Sequence, residues 1–181
     1  MESEKYNSQK LHYKHDQVLV KLKKVSRSIK LWGFHRTFAK TANRLSLPVP
    51  PVIYWLPKKK DFLLVGCGQF GLSTASFFIA KHLGNRFLGC YDLNTEQAER
   101  AKRAYKYKHV AASFDELLEY PEAEYVLIAS NHASHTDQTI EALNKGLTVH
   151  VEKPISVTWA QLERLVAALK GREDKLFVGY N

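Results

Sequence analysis

The stretch FLLVGCGQFGLSTASFF, residues 62–78, runs from a short apolar segment through three glycines into a segment with helical character. Gly66, Gly68 and Gly71 stand in a G-x-G-x-x-G spacing. That spacing alone fits either a phosphate-binding turn or a tight turn of structural use only, so its surroundings must decide.

From Asp61 onward the chain alternates short β-branched or aromatic runs with longer helical patterns, as expected for a parallel sheet covered on both faces. Strands are predicted at 62–66, 86–92, 109–113, 124–130, 148–152 and 176–180. Helices are predicted at about 70–83, 95–106, 114–119, 135–145 and 158–170. Local signals agree: Ser113 with Glu116 fits a capping box, Asn94 fits an N-cap, and Gly146 fits a helix stop. Six strands with five crossovers make a doubly wound α/β sheet of the Rossmann type over residues 61–181.

The glycines thus follow a strand and open a helix. There Gly66 permits the turn, Gly68 lets the backbone approach a pyrophosphate, and Gly71 allows close packing of helix on strand. The helix N-terminus, which includes Gln69 and Phe70, offers free N–H groups and a positive dipole end to the anion. An acidic residue is required about 20 residues on, at the end of the second strand. Asp92 supplies it, followed by Leu93 and Asn94. A carboxylate there accepts ribose hydroxyls and repels a 2′-phosphate, and no Arg follows directly, so the expected cofactor is NAD(H) rather than NADP(H). Two further loops should open on the same edge. Ser130, Asn131, His132 and His135 follow the fourth strand, and Glu152, Lys153 and Pro154 follow the fifth.

The motifs VGCGQFG, CYDLN, ASNHASH with EALNKG, VEKPIS and the closing VGYN resemble those of the glucose-fructose oxidoreductase and inositol dehydrogenase (Gfo/Idh/MocA) family of NAD(P)-dependent sugar dehydrogenases. The resemblance covers residues 61–181. It implies that Glu152 and Lys153 line the nicotinamide end, with Lys153 as the catalytic group that takes the proton from a substrate hydroxyl. It also implies that Ser130, Asn131, His132 and His135 border the cofactor. Family members commonly carry Thr-Pro-Asn where this chain has Ser130, Asn131 and His132, and His135 could equally cap the helix that follows. Members continue into a second α+β domain that binds the sugar, which this sequence does not contain. The expected function is therefore the NAD-binding part of a sugar or nucleotide-sugar dehydrogenase, poorly active until a substrate domain is supplied. An alternative is a non-catalytic NAD-binding or scaffold protein.

Residues 1–47 form a basic helical extension and residues 48–60 a linker rich in Pro and Lys. Residues 1–60 carry +11 and residues 61–181 carry −2, so any reading built on the high pI concerns the extension only. Val18, Leu22, Val25, Ile29 and Trp32 form one apolar helical stripe among lysines, Gly33 interrupts it, and Phe34, Phe38 and Leu45 mark a second short helix. The expectation is that the stripe packs on the body, on a partner subunit or on a second copy. Contact with a membrane surface or nucleic acid is the minority reading. No apolar run is long enough to span a bilayer, and MESEKYNSQK lacks the core of a signal peptide, so a cytoplasmic location is expected. Cys67 and Cys90 fit neither a disulfide framework nor a metal pair, and His132 with His135 lacks further ligands, so no metal is expected.

Overall fold

Leu63 and Val65 turn to one face of the first strand and Leu64 to the other, and each face has its own core. The protein is described by a computed structural model, which covers residues 18–44 and 57–179, with side chains for 18–42 and 59–179. Leu45 and most of the linker lie outside the described residues. Residues 18–32 form α1 and Phe34–Arg44 form α2. The body follows as β1 (Pro57–Val65), a π-helical turn (Gly71–Ser76) continuing into α3 (Phe77–Leu83), β2 (Asn85–Tyr91), α4 (Thr95–Tyr105) and β3 (His109–Val110). The second half runs α5 (Phe114–Leu118), β4 (Tyr125–Ile128), α6 (His135–Asn144), β5 (Thr148–Glu152), α7 (Trp159–Leu169) and β6 (Leu176–Gly179).

All neighbouring strands are parallel, in the order β3-β2-β1-β4-β5-β6. The order reverses between β1 and β4, the switch point at which open α/β sheets bind ligands. One core gathers Leu64, Phe87, Ala98 and Tyr105 with Ala39 and Ala42 of α2; the other gathers Leu63, Val65, Leu117, Ile128, Val149 and Leu165. Asn94 caps α4 by accepting from Glu96 N (3.0 Å), and Ser113 caps α5 by accepting from Glu116 N (3.0 Å). Glu116 returns its bond to Ala112 N instead of Ser113 N, and Gly146 closes α6 at φ +80°.

Three boundaries differ from expectation. β1 begins at Pro57, so residues 57–60 join the sheet where the linker was expected; a proline is tolerated as the first residue of a strand. The third strand shrinks to two residues. The first crossover helix opens as a π turn, because Ser76 Oγ donates to Gly71 O (2.8 Å), five residues back, and also meets Tyr107 Oη (2.9 Å).

The apolar stripe of α1 meets the body only at its end, where Arg36 lies between Trp32 and Phe78 of α3; the rest does not pack on it. Gly33, at φ +81°, turns the chain between α1 and α2, and it is α2 that buries Ala39 and Ala42 while Val18, Leu22, Val25, Ile29 and Trp32 stay exposed.

Candidate functional site

Val65 pairs with Tyr91 on one side and Ile128 on the other, and Ile128 pairs with Val151. The four loops that leave these strands therefore start level with one another. Gly66 N donates to Tyr91 O (2.9 Å) and Ala129 N donates to Val65 O (2.7 Å), which fixes the turn at the switch point.

The three glycines face different surroundings. At Gly66, φ is +87° and a Cβ would lie 2.3 Å from Ala129 O. At Gly71 a Cβ would lie 2.2 Å from Gly66 O, so the helix can approach the strand only without one. At Gly68 nothing lies within 4 Å of a Cβ. The first and third glycines meet backbone; the second meets open space. Gln69 and Phe70 open the helical segment 69–83, with Gln69 exposed.

Asp92 closes the other side of the loop. Its Oδ2 accepts from Cys67 N (2.7 Å) and its Oδ1 from Asn94 N (2.9 Å), while Leu93 is exposed beside it. Each carboxylate oxygen keeps a second lone pair. Cys67 is fully buried, and its contact with the Cys90 thiol, together with burial, pushes its own thiol well above the usual range, so it holds a proton and does not act as a nucleophile.

The loops after β4 and β5 are tied together. His135 is buried, with Nδ1 2.8 Å from Pro154 O and Nε2 3.3 Å from Ser130 O. Thr136 Oγ1 donates to Ile155 O (2.7 Å). Gln161, in a capping box with Thr158, donates from Nε2 to Ala133 O (2.9 Å). His135 thus neither caps α6 nor faces the crevice; it bridges the two loops. Ser130 donates to Gln138 Oε1 (2.6 Å), and Asn131, His132 and Lys153 are exposed. His132 stands edge-on to His135, ring centroids 5.7 Å apart. The Lys153–Pro154 peptide bond is cis. Among the described residues no group of three or more His, Cys, Asp or Glu could hold a metal ion.

Beyond Glu152 the site continues into a cavity of about 650 Å³ over the uncovered face of β4, β5 and β6, lined in part by Trp32, Arg36, Phe78, Tyr125, His150 and Phe177. Arg36 lies 4.1 Å over the Trp32 ring and 4.8 Å over that of Phe78. Sequence reading names Trp32 only as a member of the α1 stripe and does not single out the others, since only the folded chain brings the end of α1 and the start of α2 beside β5. Burial lowers the pKa of His150 from its ordinary value of 6.5, against an upward pull from Glu152. A depressed group leaves the unfolded chain binding the extra proton, so stability is full above pH 6.5 and declines as pH falls toward the folded-state value. The melting temperature should therefore fall less steeply between about pH 7 and 5 in His150→Gln than in the parent. Equal slopes would rule this contribution out.

The profile of an oxidoreductase family with an NAD-binding Rossmann fold, Gfo/Idh/MocA, matches residues 60–180. The chain belongs to this family. Among curated relatives, the inositol 2-dehydrogenase of Ralstonia nicotianae is 28% identical over 114 residues, which is 62% of this chain and 34% of that enzyme. Among solved structures, the WlbA dehydrogenase from Bordetella pertussis, in complex with NADH and UDP-GlcNAcA, aligns with a TM-score of 0.60 at 30% identity over 67% of this chain and 36% of that one. The scyllo-inositol dehydrogenase from Lactobacillus casei with bound NAD(H) and scyllo-inositol aligns with a TM-score of 0.61 at 23% identity, again over 67% and 36%, a likeness of fold. This Gfo/Idh/MocA chain spans about a third of the length of the curated relatives it matches.

Proposed function

We propose that residues 61–181 hold NAD(H) along the carboxyl edge of the sheet, as the cofactor module of a dehydrogenase acting on a hydroxyl-bearing carbon of a sugar or cyclitol. The observation that carries this reading is the contrast among the glycines: Gly66 and Gly71 are closed by backbone while Gly68 opens on space, beside a carboxylate with lone pairs to spare. The residues fit a dinucleotide, with pyrophosphate on the Gly68–Phe70 N–H groups and the adenosine ribose on Asp92, next to Leu93 and Asn94. When bound, the cofactor supplies the carbon that accepts or returns a hydride. Ser130, Asn131 and His132 border its middle, Glu152 and Lys153 its nicotinamide end.

Lys153 is assigned the proton. As the hydride leaves a carbinol carbon, the hydroxyl proton must pass to a base, a role that Lys153, exposed at the loop after β5, fills in its neutral amine form. His135 and Thr136 act through it, holding Pro154 and Ile155 and so the height of the Lys153 loop. The inositol in one relative's name and the UDP-GlcNAcA in complex with another supply the class. Turnover is expected to be slow in the 181-residue chain alone, which spans only a third of those enzymes.

A calorimetric titration with NADH tests the assignment. Asp92→Ala should weaken NADH binding by roughly 10- to 150-fold, the equivalent of about 1.5–3 kcal/mol for hydrogen bonds to a charged group. Lys153→Ala should leave binding within about twofold and, in a protein competent for turnover, depress kcat by about 100-fold or more. Unchanged affinity in Asp92→Ala would overturn the ribose assignment, and comparable dissociation constants for NADH and NADPH would overturn the choice of NAD.

A further inference from the structure

We infer that α1 and the turn into α2 form a docking surface for an anionic lipid bilayer. The apolar seam of α1 repeats at alternating four- and three-residue steps, and every member is open to solvent: Val18 is 53% exposed, Leu22 59%, Val25 39%, Ile29 37% and Trp32 60%. Leu31 and Phe34 extend the patch at 62% each. Lys21, Lys23, Lys24, Arg27 and Lys30 occupy the rest of the helix, Arg36 and Lys40 follow, and residues 18–42 contain no acid.

Such a helix is poorly made for water. Lys23 and Arg27 repel across one turn, as do Lys24, Arg27 and Lys30, and a helix of this length is marginal alone. None of the ion pairs among the described residues reaches it. Its cover must bring apolar contact and negative charge together.

A second copy would bring seven more cations against these. A partner helix would have about two heptads to grip, short of the three or four that sustain a coiled coil. Nucleic acid would answer the charge and leave the seam wet. An anionic bilayer answers both, since side chains of any spacing sink into the interface while lysine stems reach back to the headgroups. Trp32 and Phe34 fall at the end of the seam, and indole favours the headgroup boundary. No described helix is long and apolar enough to cross, so the contact is a surface one. Ser28 Oγ, 3.0 Å from Thr37 Oγ1, pins α1 to α2, and α2 is anchored through Ala39 and Ala42, so the body is held close to the surface. This reading rests on neither the cofactor nor the catalytic assignments.

Co-sedimentation of the whole chain with phosphatidylcholine vesicles, with and without about 30% phosphatidylserine, tests it. Binding should be at least about tenfold stronger on the anionic vesicles and fall by about tenfold from 0.05 M to 0.5 M salt. Ile29→Asp should reduce it about tenfold at low salt. Lys23→Glu with Lys24→Glu should abolish the preference for phosphatidylserine. NADH titration and melting temperature, unchanged in these variants, show that the body is intact. Failure to sediment, equal binding to neutral vesicles, or full binding by Ile29→Asp would each overturn the inference. So would binding to a DNA duplex that exceeds lipid binding and is untouched by Ile29→Asp, or a concentration-dependent dimer that Ile29→Asp dissolves.

Discussion

Replacing Gly66 with alanine should abolish NADH binding and destabilise the body, whereas the same change two residues on, at Gly68, should cost affinity and leave stability alone. At Gly66 the added methyl would lie 2.3 Å from Ala129 O and 2.6 Å from Ser130 N, all backbone, at φ +87°. The left-handed conformation costs an L-residue about 1–3 kcal/mol and the overpacking a similar amount, roughly 2–6 kcal/mol together. Relief would require β1 and β4 to part at their carboxyl ends, where the phosphate loop is built. At Gly68 a Cβ meets nothing within 4 Å, so the apo protein should melt within about 1–2 °C of the parent. The cost appears only when a pyrophosphate needs that space, and we expect at least about a tenfold loss of NADH affinity. Thermal melts and titrations of the two variants separate a ligand-facing glycine from a chain-packing one. A Gly68→Ala protein that binds NADH as the parent does would remove the reason for reading the loop as a cradle.

That contrast also marks how far the sequence could be read. The order of elements was legible because each β-to-α switch carries its own chemistry: Leu63, Leu64 and Val65 run apolar into glycine, and Asn94 and Ser113 cap the helices they precede. The acid at Asp92 was legible by distance along the chain alone. Its double use was not, since the bond from Cys67 N depends on how β1 and β2 lie in register. His135 could be noticed but not assigned: the difference between a cap, a cofactor contact and a bridge lies in Pro154 O, which stands 19 residues away. The stripe of α1 was legible as an apolar face, but its standing clear of the body was not, for a related reason. Periodicity identifies an apolar face and says nothing of what covers it, and the extension spends α2, with its small Ala39 and Ala42, on the body instead.

Asp61 shows the same limit at the opposite edge of the sheet, and its loss should be the costliest side-chain truncation away from the cofactor. Asp61 is completely buried on β1 and pairs through both carboxylate oxygens with Arg86 of β2, Arg86 Nε lying 2.8 Å from Oδ1. The guanidinium lies 5.0 Å over Phe62 and 5.2 Å over Tyr125, whose rings stack with centroids 4.8 Å apart across β1 and β4. One ion pair thus knits three strands, at the amino ends of β2 and β4 and the middle of β1. Asp61→Ala strands a cation among aromatic rings and should cost about 3–5 kcal/mol, a fall in melting temperature of roughly 10–20 °C. Replacing both partners, Asp61→Leu with Arg86→Met, should recover most of that loss, because the expense lies in the unpaired charge rather than in the absence of the pair. NADH affinity should be unchanged in the double variant, since the pair sits at the far end of the strands from Gly68 and Asp92. A single Asp61→Ala variant as stable as the parent would mean that Arg86 swings out to water at no cost, and the three-strand clasp would have to be abandoned.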